Sequence, residues 1–107
     1  MQKDERVLSE MLEVIERRKS GDQTTSYTAR LYAKGVHKIA QKVGEEAVET
    51  TVAAVAESNE RLARESADLL YHLLVLWSAK GLAMTDVWAE LENRFGPSGI
   101  KEFRKKG

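Results

Sequence analysis

Five acidic side chains lie in two short groups, and their spacing gives each group one face of a helix. The first group is Glu45, Glu46 and Glu49, and the second is Glu65 and Asp68. At about 100° per residue, positions three or four apart share a helix face. Unpaired like charges at these spacings repel by about 0.2–0.5 kcal/mol per pair. Because Mg²⁺ prefers carboxylate oxygens, the two groups together predict a divalent metal site.

A solvated helix face is the simpler interpretation of any one of these acids. Lys38 and Lys42 can form i,i+4 ion pairs with the first group. That interpretation weakens for the whole set, because Glu65 and Asp68 lie on a helix whose other faces are almost wholly apolar. A carboxylate there costs free energy unless it is exposed or paired. Metal binding is therefore the preferred interpretation of the five acids together.

Other polar residues flank the acids and leave several roles open. His72 follows Asp68 by four positions. It is a polar residue satisfied at a helix interface, a direct ligand, or a supporting partner of an acidic ligand. Lys38, Lys42 and Arg61 are either ion-pair partners of the acids or contacts to phosphate.

The remaining basic and aromatic residues do not indicate a nucleic-acid surface. The clusters 17–19 and 104–106 are interpreted as helix-end and tail charges, and Trp77 and Trp88 as core residues. Lys and Arg total 17 and so do Asp and Glu, so net charge gives no evidence for a nucleic-acid partner.

Helical periodicity dominates the chain before its one proline, Pro97. No strand pattern or repeat is visible. Ser58 or Asn59 and Thr85 are suitable N-cap residues for the last two helices. The pattern predicts an all-α bundle of four to five antiparallel helices, completed by dimerisation, over the ranges 4–19, 28–34, 36–57, 60–80 and 86–95.

The helices predicted at 36–57 and 60–80 carry broad apolar faces. On the first, a face of valine, isoleucine and alanine is expected opposite the acids. Gly44 costs about 1 kcal/mol relative to alanine inside a helix, so we expect another helix or a ligand to approach it closely. One chain cannot cover all this apolar surface, and a homodimer is therefore expected.

Bulk composition limits the class of protein. At 107 residues, we expect one domain spanning 1–107. There is no cysteine, hence no disulfide or thiolate metal site. The charged N-terminus lacks a signal peptide's apolar segment, and no stretch reaches the length of about 20 apolar residues that a membrane span needs. A cytoplasmic protein without a membrane partner is expected.

Three sequence strings carry a resemblance to a known family. The order E-E-x-x-E followed by E-x-x-D on successive helices resembles the all-α nucleotide pyrophosphohydrolases, the MazG-like group. Within that group the chain is similar to the phosphoribosyl-ATP pyrophosphohydrolase family. The strings are S-Y-T-A-R-L-Y-A-K-G at 26–35, K-I-A-Q-K-V-G-E-E-A-V-E at 38–49 and E-S-A-D-L-L-Y-H-L-L-V-L at 65–76, with S-G-I-K-E-F at 98–103.

The resemblance implies Mg²⁺-dependent hydrolysis of phosphoribosyl-ATP to phosphoribosyl-AMP and pyrophosphate, in the second step of histidine biosynthesis. Mn²⁺ is a possible substitute for Mg²⁺. Glu46 and Glu65 are the expected catalytic residues, with Glu65 either a ligand or the base that orients water. The implied metal ligands are Glu45, Glu46, Glu49, Glu65 and Asp68. The implied substrate contacts are Ser26, Tyr27, Thr28, Lys38, Lys42 and His72, with Arg30 and Lys34 as weaker candidates.

Three rival interpretations stay open. A house-cleaning nucleoside triphosphate pyrophosphohydrolase would keep the same site and change the substrate. A di-iron carboxylate bundle needs E-x-x-H pairs, and neither His37 nor His72 has a glutamate three positions before it. A non-catalytic helical interaction protein would leave the acids as surface residues.

Overall fold

The computed structural model describes residues 3–95, which form five α-helices and no strand. The all-α prediction is confirmed, and each predicted helix is present with its ends displaced by at most two residues. None of the helices among these residues is long and apolar enough to cross a membrane. The tail predicted after Pro97 lies outside the described residues. The helices are α1 Arg6–Arg18, α2 Tyr27–Lys34, α3 Val36–Ala56, α4 Asn59–Lys80 and α5 Met84–Phe95.

Serine side chains cap the starts of α2 and α4. Ser26 caps α2, where its Oγ accepts a hydrogen bond of 3.1 Å from the amide of Ala29. Ser58 caps α4 in the same way and accepts from the amide of Arg61. The cap predicted at Thr85 is wrong, because α5 already begins at Met84.

Helices α3 and α4 form an antiparallel hairpin joined by residues 57 and 58. At its open end, α1 and α2 cover the hairpin and close a hydrophobic core. The fully buried members of this core come from all four helices: Ile15, Leu31, Ile39, Leu74 and Val75. Helix α5 contributes no buried residue; Trp88 on α5 packs edge to face against Trp77, with ring centroids 6.3 Å apart.

The apolar face of α3 expected opposite the acids is only partly buried within one chain. The buried residues of α3 are Ile39, Glu46 and Ala53, which lie seven apart on one narrow stripe. The side chains of Val48, Val52 and Val55 are 63%, 44% and 81% exposed. The physical reason is the width of the helix contact. A single facing helix covers only the narrow stripe whose residues recur every seven positions, and the rest of the apolar face stays uncovered.

No other helix among residues 3–95 approaches Gly44 closely. Nothing among the described residues lies within 4 Å of where a Cβ at Gly44 would stand.

Candidate active site

Three carboxylates meet between α3 and α4. One oxygen from each of Glu46, Glu49 and Glu65 lies within 4.8 Å of the other two. Glu46 and Glu65 are each only 7% exposed, whereas Glu49 is exposed. Two buried acids beside an exposed third form a pocket of oxygen ligands that opens toward solvent, which suits a hard divalent cation.

Thr50 holds the two backbones together beside this cluster. Its hydroxyl lies 2.8 Å from the carbonyl oxygen of Glu46 on its own helix and 3.1 Å from that of Glu65 on α4. The hydroxyl therefore fixes the register in which the two buried acids face each other. Sequence reasoning missed Thr50, although its position four residues after Glu46 placed a polar side chain on the acidic stripe.

Burial and neighbouring negative charge disfavour the ionised forms of Glu46 and Glu65. Burial raises the pKa of Glu46, and the negative charge of Glu49 raises it further. Burial and Glu49 likewise raise the pKa of Glu65. A divalent cation at the cluster would reverse this, because it stabilises the ionised form of every carboxylate around it.

The other two predicted ligands differ in how closely they approach the cluster. Asp68 is exposed at its edge, near enough that its charge helps to raise the pKa of both Glu46 and Glu65. Glu45 is held on the outer side, where Gln41 Nε2 donates to it at 2.7 Å. Glu45 immediately precedes Glu46, and this step of about 100° turns it away from α4.

Lys42 lies beside the acids on α3. Its Nζ is 3.4 Å from Glu45 and 3.8 Å from Glu46. Burial lowers the pKa of Lys42, but Tyr27 and Glu45 outweigh burial and raise it. Lys38, one turn earlier, helps to lower the pKa of Glu45, after the larger effects of Gln41 and Lys42. The structure therefore places a cation next to the predicted metal site.

Two consecutive hydrogen bonds join α2 to the polar side of α4. The Tyr27 hydroxyl lies 2.9 Å from His72 Nε2, and His72 Nδ1 lies 2.7 Å from the carbonyl oxygen of Asp68. Because a carbonyl only accepts, Nδ1 carries the proton, and in neutral His72 the Tyr27 hydroxyl donates to Nε2. His72 is 5% exposed with both nitrogens engaged, which favours a supporting role over substrate contact.

The predicted contacts at 26–28 differ in accessibility. Tyr27 is 41% exposed, whereas Thr28 is buried and its hydroxyl hydrogen-bonds that of Tyr71. The rings of Tyr27 and Tyr71 stack with centroids 6.1 Å apart. Tyr71 was also missed from the sequence, where it precedes His72 in the third string. Tyr27 is thus the member of this segment best placed to meet a ligand directly.

Comparison with known proteins assigns the family. Residues 8–95 match the phosphoribosyl-ATP pyrophosphohydrolase family. The chain belongs to this family. The match to the phosphoribosyl-ATP pyrophosphohydrolases includes all five predicted acidic ligands, so the resemblance inferred from the three strings is confirmed.

Individual relatives extend this match over most of the chain. A phosphoribosyl-ATP pyrophosphatase of Paramagnetospirillum magneticum is 54% identical over 106 residues, covering 99% of this chain and 97% of the relative. One of Pyrobaculum calidifontis is 61% identical, covering 82% of this chain and 94% of the relative. One of Azospirillum brasilense is 53% identical, covering 90% and 86%.

Proposed function

We propose that this chain is a hydrolase that cleaves phosphoribosyl-ATP to phosphoribosyl-AMP and pyrophosphate, the second step of histidine biosynthesis. The observation that carries the proposal is the meeting of Glu46, Glu49 and Glu65 inside the span that matches the family. The substrate follows from the names of relatives that share more than half of their residues with this chain.

We propose Mg²⁺ as the cofactor, with Mn²⁺ as a substitute. The donor set fits, since Glu46, Glu49 and Glu65 offer clustered carboxylate oxygens and no softer ligand. Asp68 would join them from the edge, and Glu45 has the weakest claim because Gln41 and Lys42 already engage it. When bound, the cation neutralises charge on phosphate oxygens and lowers the pKa of a coordinated water.

Glu46 and Glu65 are the proposed catalytic residues. Water attacks phosphorus, a P–O bond of the phosphoric anhydride breaks, and the water proton passes to a carboxylate. Whichever of the two carboxylates does not coordinate the cation lies within the same cluster and would accept that proton. A covalent nucleophile is not required by this scheme.

Residues beside the acids are proposed to bind the substrate. The ammonium of Lys42 would contact the triphosphate, and Lys38 would add positive charge one turn away. Tyr27 would contact the ribose or a phosphate through its exposed edge, with Ser26 and Thr28 holding that segment in place. His72 would orient the Tyr27 hydroxyl through the 2.9 Å hydrogen bond.

We also propose that two copies form a homodimer through the exposed apolar faces of α3 and α4. Val48, Val52 and Val55 on α3 and Leu70 on α4 are between 44% and 81% exposed. Val48, Val52 and Val55 recur at helical spacing along one side of α3, where a second copy would cover them. Light scattering at micromolar concentration should report a dimer, and Val52→Asp should shift it toward monomer. A stable wild-type monomer would contradict this proposal.

The central test measures pyrophosphate release from phosphoribosyl-ATP by the purified protein, with Mg²⁺ or with a chelator. Turnover that depends on the metal is expected. A panel that includes common nucleoside triphosphates separates the house-cleaning alternative. Faster turnover of those compounds than of phosphoribosyl-ATP would overturn the proposed substrate, and no metal-dependent turnover of any compound would overturn the enzyme itself.

A further inference from the structure

An open polar pocket of about 350 Å³ lies between the end of α1 and the start of α2. None of the clustered acids Glu46, Glu49 and Glu65 lines it. Its lining residues are Arg17, Arg18, Gly21, Asp22, Thr25 and Ser26.

The two arginines of this pocket have no acidic partner within 4 Å among residues 3–95. The next residue, Lys19, is instead paired with Glu16 at 2.6 Å. The acid in the pocket, Asp22, accepts hydrogen bonds from the amide and hydroxyl of Thr24, at 2.9 and 2.7 Å. Two guanidinium groups therefore border a polar hollow without forming a salt bridge to a described residue, although the Asp22 carboxylate also lines it.

The same pocket adjoins the candidate active site. Ser26 in its wall directly precedes Tyr27, whose hydroxyl reaches His72 at 2.9 Å. Arg18 also lies near Tyr71. Burial raises the pKa of Tyr71, and the positive charge of Arg18 opposes part of that increase. Ser26 and Tyr27, adjacent at the start of α2, thus connect the arginine-lined pocket to the residues that reach α4.

We propose that Arg17 and Arg18 bind the phosphate monoester on the phosphoribosyl group of the substrate. This inference rests on the proposed function. Phosphoribosyl-ATP carries phosphate at both ends, a triphosphate on one ribose and a monophosphate on the other, with adenine between them. The planar guanidinium of arginine matches phosphate oxygens in two parallel hydrogen bonds. The hydroxyl of Ser26 accepts from the amide of Ala29 and keeps its own proton to donate.

This assignment explains how the site distinguishes its substrate from ordinary ATP. Both compounds present a triphosphate to the acidic cluster, and the acids alone therefore cannot separate them. The second phosphate is the charged group that only phosphoribosyl-ATP carries. Arg17 also borders a second hollow beside Glu13 and Glu16, so Arg18 is expected to contribute the larger share.

The test compares phosphoribosyl-ATP with N1-ribosyl-ATP, which lacks only the second phosphate. Wild-type kcat/KM is expected to be about 10–100-fold higher for phosphoribosyl-ATP, the range that a hydrogen-bonded charged group produces. Arg18→Gln should remove most of this preference by raising KM for phosphoribosyl-ATP, with kcat little changed. Turnover of N1-ribosyl-ATP by the variant should stay within about twofold of wild type.

Lys19→Gln is the matched control, because it removes one positive charge from the same helix end without lining the pocket. It should keep the wild-type preference. Arg18→Lys should show an intermediate preference, since it keeps the charge and loses the planar fork. Arg17→Gln should lower the preference less than Arg18→Gln.

Two outcomes separate failure of this inference from failure of the proposed function. If wild type hydrolyses phosphoribosyl-ATP but both compounds equally well, or if Arg18→Gln slows both equally, the phosphate assignment is overturned alone. If wild type hydrolyses neither, both proposals are overturned. Thermal unfolding of each variant verifies that the fold is intact, and Arg18→Lys supplies the answer if Arg18→Gln is unstable.

Discussion

The two ends of the α3–α4 hairpin bury opposite kinds of side chain. At the open end, Ile39, Leu74 and Val75 are almost fully buried beneath α1 and α2. Nearer the turn, Glu46 and Glu65 are buried between the helices. On the outside of that second end, the valines of α3 face solvent.

The contrast arises because α1 and α2 pack against only one end of the hairpin. Where α1 and α2 pack, apolar burial stabilises the fold in the ordinary way. Where they do not, the interior holds carboxylates whose pKa values are raised by burial, so this part of the interface lowers stability at neutral pH. The apolar core and the buried acids thus occupy different parts of the hairpin, which fits the general trade-off between stability and activity.

The largest effect is expected from removing a charge at the uncovered end. Glu49→Gln should lower kcat/KM for phosphoribosyl-ATP by about 10²–10³-fold, because a proposed ligand loses its negative charge. It should also reduce the rise in Tm that Mg²⁺ causes by binding the folded state. Glu60→Gln is the matched control, since Glu60 pairs only with exposed Arg64 among the described residues. An unchanged metal response in Glu49→Gln would remove Glu49 from the ligand set.

At the covered end, a core truncation should change stability and leave the metal response intact. Ile39→Ala is expected to lower the free energy of unfolding by about 2–5 kcal/mol, because Ile39 is 0% exposed within the main core. Urea denaturation measures this loss. Val55→Ala, on the same helix but 81% exposed, should cost about 0.5 kcal/mol or less in a monomer. At concentrations where the proposed dimer forms, a larger cost is expected, because Val55 lies on the face assigned to the dimer interface.

A smaller effect on catalysis is expected at Lys42. Lys42→Ala should lower kcat/KM for phosphoribosyl-ATP by about tenfold, through loss of one charged contact to phosphate. Metal-induced stabilisation should persist, since an ammonium has donors only and cannot ligate a cation. Lys80→Ala provides a control outside the site. Full activity in Lys42→Ala would show that Lys42 forms ion pairs with Glu45 and Glu46 and does not contact the substrate.

The smallest effect is a gain in stability. Without metal at neutral pH, Glu46→Gln should raise Tm by about 2–4 °C, the shift that relief of about 0.5 kcal/mol produces in a domain of this size. The pKa of Glu46 is raised in the folded state, so the native protein binds more protons than the unfolded chain above pH 4.5. Stability therefore falls as pH rises through the interval between the unfolded and folded pKa values, and Glu46→Gln should weaken that fall. A lower Tm for the variant in chelator would contradict this explanation.

The helices and the family were available from the sequence because both depend on local patterns. Apolar spacing and the cap at Ser58 placed each helix within two residues of its observed ends. Only the cap at Thr85 was misplaced, since the helix starts one residue before it. The acidic motif and its neighbouring strings indicated the family without any distance between the two helices.

The burial of individual side chains was decided by the tertiary structure. Periodicity placed eight apolar residues of α3 on one face, but it cannot state how wide a stripe the partner helix covers. Packing buried the Ile39, Glu46 and Ala53 stripe and left Val48 and Val55 exposed. For the same reason, the sequence assigned five acids to one metal site, whereas the structure clusters three of them, places Asp68 at the edge and turns Glu45 outward. The types of residue that could do chemistry were thus set by the sequence, and their grouping by the contact between α3 and α4.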